Sequence, residues 1–231
     1  MFQGLEKIVK EIFQEAMHRK YVMHLFNIFK RRFPGLALSN LFWKAARAYN
    51  ERDYNKAMQK IKELNEDAEK WLIKIPAESR SRYAFDPRVR CDHITNNLVE
   101  SFNSWLGRWR GKPILTMLEG IRGKLMSRMH KRYNKAMSWN TSIINNIKKG
   151  LNNTLFKSRE CSVDFAGSDV YEVRDKDGVR HIVDLCKMTC ICREWDISGI
   201  PCIYDVTAIY YNRKPLETFV HPYFSKEVIE A

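Results

Sequence analysis

No apolar run in the 231 residues approaches the eighteen or so needed to cross a bilayer, so no spanning helix is expected and a membrane is not an expected partner. The opening stretch MFQGLEKIVKEIFQEA lacks an unbroken apolar region, because charges fall among its apolar positions; a secretory leader is not expected there. Acid is nearly missing from the middle of the chain: residues 101–150 hold eleven Lys and Arg against Glu119 alone. Residues 1–50 hold nine against three, residues 51–100 balance at ten each, and the remainder is slightly acidic. The formal charge of +13 therefore concentrates in one segment, which points to a polyanion partner, nucleic acid first. The plain alternative is a solvated helix face.

What is present is a knot of cysteine. Four of the six cysteines, Cys186, Cys190, Cys192 and Cys202, fall within seventeen positions, a clustering that in a reducing compartment reads as a metal site rather than as disulfides. Cys190 and Cys192 would project from one tight turn, and Cys202 returns after a loop containing Gly199 and Pro201. A tetrahedral zinc site draws its ligands from two chain segments in this way.

The first 150 residues carry helical patterns. Leu5, Ile8, Val9, Ile12 and Phe13 recur at three-to-four spacing, and VMHLFNIFKRRF follows until Pro34-Gly35 stops it. Ser39 is a candidate cap for NLFWKAARAY, and DYNKAMQKIKELNEDAEKWLIKI is expected to run as one helix to Pro76. SRSRYAFDPRVRCDH has no helical period and reads as a loop or one short strand. Pro113 suits the first position of a long helix whose apolar stripe comprises Ile114, Leu118, Ile121, Leu125, Met129, Tyr133 and Met137. Lys124, Arg128, Lys131 and Lys135 fall on a different face, where they could follow a phosphate backbone.

Near residue 155 the texture changes. Residues 162–190 alternate β-branched and polar residues around Asp177-Gly178, a favourable hairpin turn, so Val170–Arg174 and Val179–Asp184 are expected to pair. DVTAIYYN reads as a short helix, and NNTLFKSRE as a linker at 152–162. The fold class expected is mainly α: a helical region over 1–155 and a small α+β metal-binding module over 160–231.

The pattern C-x-C-x9-C-x-Y, with REWDISGIP inside it, resembles the SWIM-type (PMZ) zinc finger over residues 165–212. Trp195 as apolar anchor, the Gly-Ile-Pro turn and the helix after it belong to the match. The resemblance implies one zinc ion on Cys190, Cys192 and Cys202. Tyr204 stands at the usual histidine position, and a phenol with a pKa near 10 is a poor zinc ligand beside an imidazole. Cys186, His181, Asp205 or a water are the candidate substitutes.

The rest of the chain resembles the C-terminal part of plant Mutator-like element transposases. GLEKIVKEIF, then HRKYVMHLFNIFKRRFPGLALSNLFWKAARAYNERDYNKAM, look like the segment after that family's second catalytic aspartate. CDHITNNLVESFNSWLGRWRGKPILTMLEGIRGKLM looks like the segment bearing the third acid, matched here by Glu100. The resemblance implies an RNase H-like nuclease with a helical insertion, divalent metal held by three carboxylates, DNA as partner, and a nuclear location. The two aspartates have no counterpart in these 231 residues, and the family's Cys-x2-His pair reads Tyr21 and His24. One carboxylate cannot assemble a two-metal centre, and Asn97 with Glu100 also forms a capping-box pattern, so an active enzyme is not expected.

The expected function is thus a non-catalytic, transposase-derived zinc-binding protein that associates with DNA or protein. Self-association is a further expectation, and no small-molecule substrate is. The alternatives are a transposase subunit whose missing aspartates come from elsewhere, or a pseudogene product without a selected role.

Overall fold

Pro34 and Gly35 separate the helices Val22–Arg32 and Leu36–Arg47, as their backbone chemistry requires: proline cannot continue a helix, and Gly35 takes φ +137°. The computed structural model describes residues 11–12, 22–94 and 97–230, without the side chains of 97–100 and 229–230. The fold is mainly helical with one small antiparallel sheet, and it divides near residues 89–96 into two compact units.

The first unit holds α1 (Val22–Arg32), α2 (Leu36–Arg47), α3 (Glu51–Leu64) and α4 (Glu66–Ile73). The helix containing Ser39 begins three residues before that residue, at Leu36, so Ser39 is not its cap. Its hydroxyl instead donates back to the Gly35 carbonyl at 2.8 Å, the i−4 back-bond open to a serine inside a helix. The segment expected as one helix up to Pro76 is two. Asn65 breaks it, ending α3 through its N–H to the Ile61 carbonyl and capping α4 by accepting from Ala68 N–H at 2.9 Å. Burial of Phe29, Phe42 and Leu72, with Phe29 and Phe42 ring centroids 5.0 Å apart, holds these helices together. The aperiodic stretch before residue 93 forms three 3-10 turns. Its polar groups are paired: Arg80 donates to the Tyr54 hydroxyl and Ser81 to the Ala45 carbonyl. Of the stripe expected at residues 5–13, only Ile12 is described; it is helical and 66% exposed.

The second unit begins with α5 (Asn97–Leu106), a 3-10 segment (Gly107–Gly111) and α6 (Ile114–Met137). Pro113 stands at the cap of α6, one place before its expected position. The apolar stripe of α6 lies open: Ile114 is 62% exposed and Met129 63%. Helix α7 (Asn145–Ser158) then occupies most of the stretch expected as a linker. NNTLFKSRE is helical because Leu151 and Leu155 pack into an apolar cluster with Val206 and Val220, joining α7 to the cysteine-bearing part.

The sheet has the order β1-β2-β3-β4, antiparallel throughout, from β1 (Ser162–Gly167), β2 (Val170–Arg174), β3 (Arg180–Asp184) and β4 (Thr189–Cys190). The β2–β3 hairpin is the one expected from Asp177-Gly178. Asp175 accepts from Asp177 and Val179 N–H, each at 2.9 Å, and Gly178 takes φ +77°. Helices α8 (Glu194–Ser198), α9 (Ile203–Tyr211) and α10 (Glu227–Glu230) complete the chain. Tyr171, Val173, Val183, Trp195, Ala208 and Ile209 form the core between sheet and α9, and two of the cysteines are inside it.

Candidate functional site

Strand β4 is only two residues long because its pairing with β3 ends at Val183↔Cys190. The chain then reverses: Arg193 N–H reaches the Cys190 carbonyl at 2.8 Å, and Arg193 takes the left-handed φ of 66°. That reversal puts Cys190 and Cys192 on one side of a tight turn. Trp195 is 2% exposed and donates its indole N–H to the Phe219 carbonyl at 3.1 Å, which pins α8 to the core. Gly199 ends α8 at φ +74°; a Cβ there would meet the His221 Cβ at 2.8 Å. Pro201 follows, and Cys202 becomes the cap of α9, opposite the first two thiols.

The three sulfurs converge. Cys192 and Cys202 Sγ stand 3.5 Å apart, Cys202 and Cys190 Sγ 3.9 Å, and all three lie within 4.8 Å of one another. Three thiolates each about 2.3 Å from a tetrahedral ion would stand about 3.8 Å apart, so the triangle has the size of one zinc-thiolate face. Cys190 and Cys202 are buried and Cys192 is half-buried.

The surroundings favour anionic sulfur at one corner. Cys192 is pulled down to about 4 by hydrogen bonds with Cys190 and then Cys202, helped by the N–H of Glu194 at 3.5 Å. The hydrogen bond with Cys192 pushes Cys190 up, and burial pushes Cys202 up. The triad thus favours the thiolate form at Cys192 and the thiol form at Cys190 and Cys202. Soft thiolates in this number suit zinc rather than magnesium or calcium.

Asp205 is completely buried beside the triad, and burial raises its pKa well above the ordinary carboxylate range. Its Oδ2 accepts from Cys202 N–H at 2.8 Å, closing a capping box at the start of α9. Its Oδ1 is buried with no hydrogen-bond partner among the described residues. A buried oxygen left unpaired next to three thiols is what a cation would relieve, so the donor set fits a metal ion.

The other expected substitutes lie differently. The Tyr204 ring lies flat on the His181 imidazole, centroids 3.5 Å apart at 11°, and burial raises the phenol pKa further. His181 Nε2 faces Asp175 Oδ2 at 3.3 Å. Cys186 is exposed, its Sγ 3.5 Å from Asp169 Oδ2, and that hydrogen bond raises its thiol pKa. Neither His181, Cys186 nor Asp205 joins the 4.8 Å group of the three sulfurs. Glu100 lies in α5, with its side chain outside the described residues, and Tyr21 is also outside them; His24 lies in α1.

Lys124, Arg128, Lys131 and Lys135 share one face of α6 and line a groove of about 1070 Å³. Trp105 and Trp109, which charge and apolar periodicity do not single out, line the same groove. Their signal is nevertheless present in WLGRWR, where two tryptophans four apart alternate with arginines, an interleaving of aromatic and basic residues. The Lys124 ammonium lies 5.2 Å from the Trp105 ring centre and donates to the Trp105 carbonyl. No protein-family model matches the chain, and no solved structure matches it.

Proposed function

We propose that the chain is a zinc-binding protein in which one ion, held by Cys190, Cys192 and Cys202, fixes the β4–α8–α9 knuckle, and in which the basic face of α6 associates with nucleic acid. The observation that carries the metal reading is the triangle of three sulfurs within 4.8 Å beside the unpaired Asp205 oxygen. The ion's role is structural. Cys190 and Cys202 belong to the apolar core around Trp195, and the groove along α6 is not lined by the three sulfurs. The resemblance in motif order supports descent from a Mutator-like transposase with an RNase H-like ancestor, acting in the nucleus without catalysis.

Metal analysis of the purified chain tests the first part. One zinc per chain is expected, lost in Cys192→Ser and kept in Cys186→Ser, since Cys186 is exposed beside Asp169. Equal loss in both variants, or no zinc in the parent, would sink the reading. For the second part, DNA affinity should fall steeply with salt. Replacing Lys124, Arg128, Lys131 and Lys135 by Gln should flatten the log–log slope by up to about 0.9 for each phosphate no longer neutralised. An unchanged slope would leave this face merely solvated.

A further inference from the structure

The groove beside α6 contains more than cations. Trp109 is seated directly on the helix backbone at Gly120: a Cβ there would come within 2.8 Å of Trp109 Cε2 and closer still to its ring neighbours. The Trp109 N–H has no hydrogen-bond partner among the described residues, so close packing on a bare glycine, rather than a polar contact, places the indole. At Gly123, one turn further on, a built Cβ would have nothing within 4 Å, and the floor of the groove stays open.

Over this floor the two indoles face a row of charge. Arg128 lies 6.0 Å from the Trp105 ring centre, and Arg108 lies 5.2 Å from that of Trp109. Lys131, Arg132 and Lys135 extend the row, and with Arg128 they make no ion pair among the described residues. The single acid of the segment, Glu119, is paired with Arg122. From Lys124 to Lys135 the row covers about 16 Å of helix axis at about 1.5 Å per residue.

We propose that this groove takes single-stranded nucleic acid, with unpaired bases stacked against Trp105 and Trp109 and the backbone phosphates on the α6 cations. The proposal rests on the nucleic-acid reading above and narrows it. Phosphate contacts alone need no tryptophan, and a duplex keeps the faces of its bases stacked on one another. An unpaired strand offers both a π-face and a phosphate at each step, the two chemistries that the groove brings together. An acidic peptide would use the cations and leave the indoles without a partner.

The test uses the full chain and three fluorescently labelled probes at one salt concentration: a twelve-nucleotide oligothymidylate, an abasic oligomer of the same length, and a duplex of twelve base pairs. Oligothymidylate should bind about tenfold more tightly than the abasic oligomer for one stacked base, and more tightly than the duplex. Trp105→Ala should reduce that advantage by the share of one stacked base, leaving what Trp109 supplies, with abasic binding and its salt slope unchanged, and Trp105→Phe should restore most of it. Should Trp105→Ala fail to fold, the parent chain and Trp105→Phe still decide the matter through the abasic comparison. Equal affinity for thymidylate and abasic probes would overturn the stacking while leaving phosphate binding in place. Duplex binding as tight as thymidylate binding would overturn the preference for single strands. Failure of all three probes to bind, with an acidic peptide retained, would overturn the nucleic-acid reading itself.

Discussion

Helix α6 has 24 residues and buries Ala136, whereas α9 has nine and buries five in a row, Asp205 to Ile209. The two helices belong to the same unit, yet one behaves as surface and the other as core. Around α9 every donor is over-determined: Cys202 is its cap, Asp205 closes the cap, and Ala208 and Ile209 pack into the apolar cluster that holds Trp195. Sulfurs held this firmly would require little reordering to accept the proposed ion. Along one face of α6 the side chains are long, charged and mostly exposed, which suits the polyanion proposed above. Burial therefore separates the two chemistries, a rigid soft-donor site and an adaptable charged one.

The sharpest way to break this comparison is to challenge the proposed metal site with a chelator. Structural zinc contributes roughly 10–16 kcal/mol of apparent binding energy in small peptides, most of it inseparable from folding. Chelation should therefore lower the melting temperature of the sulfur-bearing unit steeply, while the first unit, which contains no part of the triad, keeps its own transition. Calorimetry of the full chain with and without a chelator reads both. One unshifted transition would show that the triad contributes nothing to folding.

Next in size is Trp195→Ala. The indole is 2% exposed, packs on Phe219 and anchors the segment between the Cys190–Cys192 turn and Cys202. Truncation should cost about 3–5 kcal/mol in urea unfolding of the zinc-loaded chain. A loss below 1 kcal/mol would mean that α8 is held by the metal alone.

Gly120→Ala probes α6 from inside. Its new methyl would occupy space already taken by Trp109, and either the ring or the helix must move. Overpacking of this kind should cost about 1–3 kcal/mol, and tryptophan fluorescence should report the displaced indole. Gly123→Ala, in open space, serves as the control, and as a glycine replaced within a helix it should be neutral or stabilising.

The contrast between the helices also explains what can be read from residues alone. The β2–β3 hairpin is legible because Asp177-Gly178 is a local signal that needs no tertiary partner, and so are the three converging cysteines, whose spacing and turn residues are local too. Helix α9 is legible as a helix, but not which of its faces is inside, since it is buried on nearly all sides and shows no period. NNTLFKSRE resembles a linker because its polarity is high, and only Leu151 and Leu155 meeting Val206 reveal the packing. The break at Asn65 escapes for a related reason: the apolar period continues through it, while the cap is one side chain. The burial of Asp205 and the seat of Trp109 on Gly120 arise from packing between segments and have no signature in spacing.

The apolar stripe of α6 gives the smallest expected effect and the cleanest contrast. Its period is that of a packing face, yet Leu118 is 52% exposed and Met129 63%. If burial rather than periodicity determines stability, Met129→Ser should change the unfolding free energy by no more than about 0.5 kcal/mol, as for other exposed positions away from caps and cores. A buried methionine on α3, Met58, provides the comparison: it is 7% exposed, and Met58→Ser should cost several-fold more because it empties part of the core and buries a hydroxyl. Urea unfolding of the two variants beside the parent chain measures the difference. A loss of about 2 kcal/mol or more in Met129→Ser would show that the α6 stripe is covered in solution, and the division between the surface helix and the core helix would fail.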